Sequence, residues 1–328
     1  MLASICKPGY SRANGVPHKA VAITALSEDL LLVGDWVLNN AMEWRYAAAR
    51  DASTPPAMLL GLYDFADCRR LLAENVSTPT EILEKLSEEN AFTHLDPTNR
   101  RMAIASVLSN RNTSSTAISR ILTWTEGVLN VVTPGENSSH APSRLKDYFY
   151  PSAAGNPNTP VKYLKKFAES NDTTTIFRLL PNPKLPREII AKFVDKVLTT
   201  FEHEELHSFS TVAQNPNLIE SEMVSLSRHP MGYVRDAIAR NRSTPPRILM
   251  SLINDEYFMT RIGCVWNENL PLEGLEYFAN QTRAELRALG HNWIDDYLDG
   301  VRKCVLKNPH SSDELRKWVV SEEWLRSR

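Results

Sequence analysis

The sequence predicts an all-α array of short, stacked helical repeats, and three observations carry that prediction. An Asn, a Thr-Pro beginning three residues later and then leucines recur along the chain, as in Asn75-Val-Ser-Thr78-Pro79 and Asn241-Arg-Ser-Thr244-Pro245. Apolar residues keep fixed offsets from that Asn in register after register. Alternating apolar runs bounded by hairpin turns, the mark of strands, are missing. Recurrence at a period of about two dozen residues is the signature of stacked units, none of which buries its apolar face alone.

Aligned on the Asn, the chain yields nine registers anchored at Asp51, Asn75, Asn110, Asn156, Asn182, Asn215, Asn241, Asn267 and Asn308. The position two before the anchor is apolar in all nine, from Ala49 to Leu306, and so is the position eleven after it, from Leu62 to Val319. Eight after the anchor only Arg316 breaks the apolar rule. One unit reads as two short helices. Asn closes the second helix of a pair, because it tolerates the left-handed conformation, and Pro157, Pro183, Pro216 and Pro309 forbid continuation. Thr54, Thr78, Thr159 and Thr244 are expected as N-caps of the next helix, with Pro55, Pro79, Pro160 and Pro245 at its first position. Glu81 and Glu314 stand where a capping box places them. The apolar offsets then line one helical face.

Registers such as Tyr233-Val-Arg235-Asp-Ala-Ile-Ala239-Arg-Asn241-Arg-Ser-Thr244-Pro245 resemble the variant leucine-rich repeat family. That resemblance covers roughly Arg45 to the C-terminus and implies alternating α and 3₁₀ helices wound into a right-handed superhelical solenoid without β-sheet. Some members carry a cysteine cluster for an iron-sulfur centre ahead of the repeats. This chain shows none, and no cofactor is expected.

The registers are spaced 24, 35, 46, 26, 33, 26, 26 and 41 residues apart, so insertions are expected near 87–99, 123–148, 194–207 and 279–300. Residues 1–44 lack the phrase and read as an N-terminal helical cap on the array 45–328, with Leu30-Leu-Leu-Val33 and Trp36 against the first repeat. Thr133–Ser143 is dense in turn-forming residues and reads as a protruding loop.

Hydrophobic residues make up 42% of the chain and charged residues 23%, with a formal net charge of −2, as befits a soluble folded protein. Four scattered cysteines without metal-type spacing read as buried thiols of a reducing compartment. With neither a secretory signal pattern nor an apolar run long enough to cross a bilayer, a cytoplasmic location is expected.

Five registers carry Arg six before the anchor: Arg45, Arg69, Arg235, Arg261 and Arg302. Stacking places them in a row, which either holds carboxylates or phosphates of a partner or braces neighbouring repeats. A basic stretch at 141–200 precedes an acidic one at 201–230, a pattern that suits protein recognition at least as well as phosphate tracking. His203-Glu204-Glu205-Leu206-His207 matches the H-E-x-x-H zinc-hydrolase pattern, but no third ligand follows at a recognisable spacing. Trp44, Trp266 and Trp293 read either as stacking or hot-spot residues or, from their placement in the second helix of a unit or in the insertions, as core or inter-repeat packing, which is the preferred expectation. The reading is a non-catalytic scaffold that binds a partner protein through its curved surface and inserted loops, using the Arg row, the basic stretch 141–200 and the loop 133–143. Nucleic-acid binding through a basic groove is the alternative, and zinc hydrolysis by His203, Glu204 and His207 a remote one.

Overall fold

The computed structural model describes residues 42–131, 142–199, 209–288 and 294–327, and among them every regular element is a helix. The chain divides into two compact units, Met1–Phe167 and Ala168–Arg328. Four anchors lie in the first unit and five in the second. In all nine registers one helix ends at most three residues before the anchor, and the next begins five residues after it.

The apolar offsets become core. All nine residues eleven after the anchor are buried, and so are the eight apolar residues at offset eight. The residue two before the anchor is buried in eight registers, where adjacent helices meet; Leu306, in the last register, is 40% exposed. There Val305 takes the inward position, so the phase of that helix has slipped by one residue.

The anchors do something other than the expected left-handed turn. Asn75, Asn110, Asn215, Asn241 and Asn267 are extended, with φ between −81° and −68°. What selects Asn is its amide, used at both ends. In every register the side-chain Oδ1 accepts the backbone N–H two residues on, at 2.8–3.1 Å, closing the turn. The Nδ2 reaches back to the previous repeat. In Asn75, Asn110, Asn156, Asn215, Asn241 and Asn267 it donates to two carbonyls, those of the previous anchor and of the residue two before that anchor, at 2.7–3.2 Å. Asn308 keeps one such bond, to the Asn267 carbonyl at 3.3 Å.

A second rung runs alongside. Nδ2 of Asn112, Asn158 and Asn269 donates to the carbonyls one and three residues past the previous anchor. The threonines are corrected too. Oγ1 of Thr54, Thr78, Thr113, Thr159 and Thr244 donates to the carbonyl six residues earlier, at 2.5–2.7 Å, satisfying an orphan acceptor at the end of the preceding helix. Pro55, Pro79 and Pro245 therefore occupy the N-cap itself, one residue before the expected position. Glu81 pairs with Lys85 at 3.1 Å instead of closing a capping box. At the other expected box it is Ser312 that caps, accepting from the Leu315 N–H, and Glu314 falls one residue short of the position a box requires.

Among the described residues the insertion at 87–99 is mostly turn, and the other three are mostly helix. They lengthen Pro97–Ser109, Ser115–Val131 and Arg187–Thr199 and add Arg283–Ala288, whose first turn is closed by reciprocal bonds between Thr282 and Glu285. The expected cap at 1–44 and loop at 133–143 lie almost wholly outside the described residues, as does His203–His207.

An Asn241→Asp variant keeps the turn acceptor but sets a carboxylate oxygen against two buried carbonyls. Orphaned buried acceptors cost about 1–3 kcal/mol each. Chemical denaturation is expected to show a loss of about 3 kcal/mol or more, while Asn112→Asp, at a more exposed rung, loses less.

Candidate functional site

Five registers place an Arg six residues, nearly two helical turns, before the anchor, and at Arg69, Arg235 and Arg261 its donors point into the turn that joins the two helices of a unit. Arg69 donates from Nε to the Tyr63 carbonyl at 3.2 Å and from Nη1 to the Ala91 carbonyl at 3.2 Å. Arg235 is buried, with its Nε and Nη2 on the two oxygens of Asp255 at 2.7 and 2.8 Å. Its Nη1 donates to the carbonyls of His229 and Pro230. Arg261, also buried, donates to the Asp255 carbonyl at 2.6 Å, so two successive members of the row clasp one residue. Arg45 lies over the Phe65 ring and 3.9 Å from Asp67, and Arg302 pairs with Asp299 at 2.8 Å. Of the two roles open to the row, Arg69, Arg235 and Arg261 have the geometry of braces: a guanidinium at a helix C-terminus satisfies orphan carbonyls and complements the helix dipole.

Beside this brace His229 is buried, its Nε2 3.1 Å from the Val197 carbonyl and its Nδ1 accepting the Met231 N–H at 3.1 Å. That pattern needs the neutral ring. Burial pushes its pKa below the ordinary value of 6.5, and Arg235 adds to the depression.

Among the described residues no group of three or more His, Cys, Asp or Glu is placed to hold a metal ion. Cys68, Cys264 and Cys304 are free thiols, pushed by burial up to about 11, 12 and 11. A surface depression lined by Glu89, Asn90, Thr93 and Arg100 uses its guanidinium on the Glu89 carbonyl at 2.7 Å.

The packing expectation preferred for Trp266 is not met. Trp266, expected in the packing, is 58% exposed at the end of helix Phe258–Trp266. With Met259, also exposed, and the half-buried Ile262 it forms a stripe at positions i, i+3 and i+7 of one helix face. The same offsets on the preceding helix, Gly232–Arg240, hold Tyr233, Asp236 and Arg240. Arg240 lays its guanidinium 5.2 Å from the Trp266 ring centroid while Asp236 holds its Nε at 2.8 Å. The two helices approach closely because Gly263 carries no side chain: a Cβ there meets Ala239 Cβ and Asp236 Oδ1 at 2.9 Å. The signal in the sequence was that Trp266 directly precedes an anchor, a position held elsewhere by Arg50, Glu74, Ser109, Gln214 and Lys307. That column is mostly polar, hence solvent-facing.

No protein-family model, curated protein sequence or solved structure matches the chain. Among the described residues no helix is long and apolar enough to cross a membrane.

Two measurements test this geometry. Arg235→Gln leaves Asp255 without its charge partner in a buried setting, where breaking a pair costs about 3–5 kcal/mol; a matching fall in denaturation free energy is expected. For His229 the unfolded ring binds its proton more readily than the folded one, so its contribution to stability is complete above pH ~6.5 and declines as pH falls below that value. Denaturation at pH 5.5 and 7.5 is expected to show a larger acid loss in the native chain than in His229→Gln.

Proposed function

We propose that the chain is an α-solenoid scaffold of the variant leucine-rich repeat kind that binds a partner protein without catalysing a reaction on it. The reading rests on one observation: a frame whose repeat-defining polar side chains are spent on its own backbone leaves an aromatic and cationic patch, Trp266 with Arg240 and Met259, at the surface. Trp and Arg dominate binding energy at protein interfaces, and a large aromatic side chain held outside the core contributes little to the isolated chain beyond its contact with Arg240. The side-chain ladder supports the solenoid part of the reading, since it repeats from register to register in the manner of nearest-neighbour stacking. Buried free thiols at positions 68 and 264 support a reducing, cytoplasmic setting.

The arginine row enters this proposal as the brace that fixes the helices carrying the patch. Its own donors are placed toward the protein at Arg69, Arg235 and Arg261.

Affinity capture from native extract on the immobilised full chain, with Trp266→Ala as the paired bait, tests the reading. A protein retained by the native chain and lost from the variant, at unchanged melting temperature, is the expected result. Retention of nucleic acid in place of protein, or equal retention by both baits, contradicts it.

A further inference from the structure

Arg240 and Trp266 form a half-built recognition site. The Arg240 Nε is committed to both oxygens of Asp236, at 2.8 and 3.0 Å, and its guanidinium carbon lies over the Trp266 ring, 5.2 Å from the centroid. Among the described residues its Nη1 and Nη2 take no acceptor, although the side chain is only 29% exposed. A guanidinium held through Nε by one carboxylate and lying near an aromatic ring, with its outer fork open, can take a second carboxylate. Ordering such a long side chain ordinarily costs binding energy; here the fold has already ordered it.

The surroundings favour the same ligand. In the second unit the residues immediately before the anchors are Pro181, Gln214, Arg240, Trp266 and Lys307, with no acid among them. Lys307, exposed and without an ion pair among the described residues, holds the equivalent position one repeat beyond Trp266. Beside the open fork the Met259–Ile262–Trp266 stripe offers an apolar strip along one helix.

We infer that Arg240, Trp266 and Met259 form a docking site for an acidic peptide segment of a protein partner, the Arg240 fork taking an Asp or Glu carboxylate and the stripe taking an apolar side chain next to it. This rests on the scaffold reading above and names the surface and the chemistry of its partner. The carboxylate bridges Nη1 and Nη2, and the apolar neighbour covers the Trp266 ring, excluding water from the charge-assisted pair.

A random-peptide phage library selected on the immobilised full chain tests it. Enriched peptides are expected to share an acidic residue beside an apolar one. As synthetic peptides they are expected to lose at least tenfold in affinity for Arg240→Gln and for Trp266→Ala, with Arg240→Lys also weakened because a point charge replaces the fork. Circular dichroism melting of each variant separates lost binding from lost folding, and Lys303→Gln serves as a surface control that leaves binding intact. Enriched peptides without acids, or peptides that bind Arg240→Gln as well as the native chain, overturn this site and leave the scaffold reading standing through another surface. No enrichment on any surface overturns both. Binding of a fluorescein-labelled single-stranded DNA that depends on Trp266 also overturns it, assigning the aromatic face to nucleobases.

Discussion

The side-chain amide of the anchor asparagine is the interaction on which the rest of the structure depends. A helical repeat that turns sharply after each helix leaves carbonyls buried at the turn, and buried carbonyls must find donors. The anchor supplies them across the repeat boundary while its own oxygen closes the turn within the repeat. One residue thus sets the local bend and the stacking together. Glutamine is too long for the turn, aspartate lacks the donor, and serine lacks the second one.

The outermost anchors follow the same logic. Asp51, the first anchor, closes its turn with Oδ1 as the others do, accepting from Ser53 at 2.8 Å, but has no N–H to hand backwards. At the last anchor the carbonyl of Asn308 accepts the turn N–H of Ser311 and then, in place of a following asparagine, Nη2 of Arg316 at 3.1 Å. Arg316 is the residue that breaks the apolar rule at its offset. The break is physical: no anchor asparagine meets the Asn308 carbonyl, so a long donor folds back to it from helix Asp313–Val319, where Leu315 is buried.

Much of the fold was legible because core offsets are a direct projection of packing. Position eleven after the anchor is apolar in sequence and buried in structure without exception. The function of Asn and Thr was not legible in the same way. Both are turn and cap formers by local chemistry, which led to a left-handed Asn and an N-capping Thr, whereas their partners lie in the previous repeat or six residues back, beyond what local propensity encodes. For the arginine row the sequence shows the periodicity but not the direction of the guanidinium. That direction is set by Asp255 and by carbonyls of the inter-helix turn. Trp266 was misplaced because a large aromatic in a helix is ordinarily core, while its offset from the anchor already marked a solvent-facing column.

Frame and surface are therefore separate in this chain: recurring side chains hold the stack, and departures from the recurring pattern decorate it. The frame is most directly tested by hydrogen exchange of the asparagine side-chain amides, followed by NMR with anchor-by-anchor assignment through Asn→Ser variants. The ladder requires the Nδ2 protons of Asn75, Asn110, Asn156, Asn215, Asn241 and Asn267 to exchange orders of magnitude more slowly than those of the exposed Asn90. Exchange of the anchor amides at the rate of Asn90 contradicts the ladder and the account of stacking built on it.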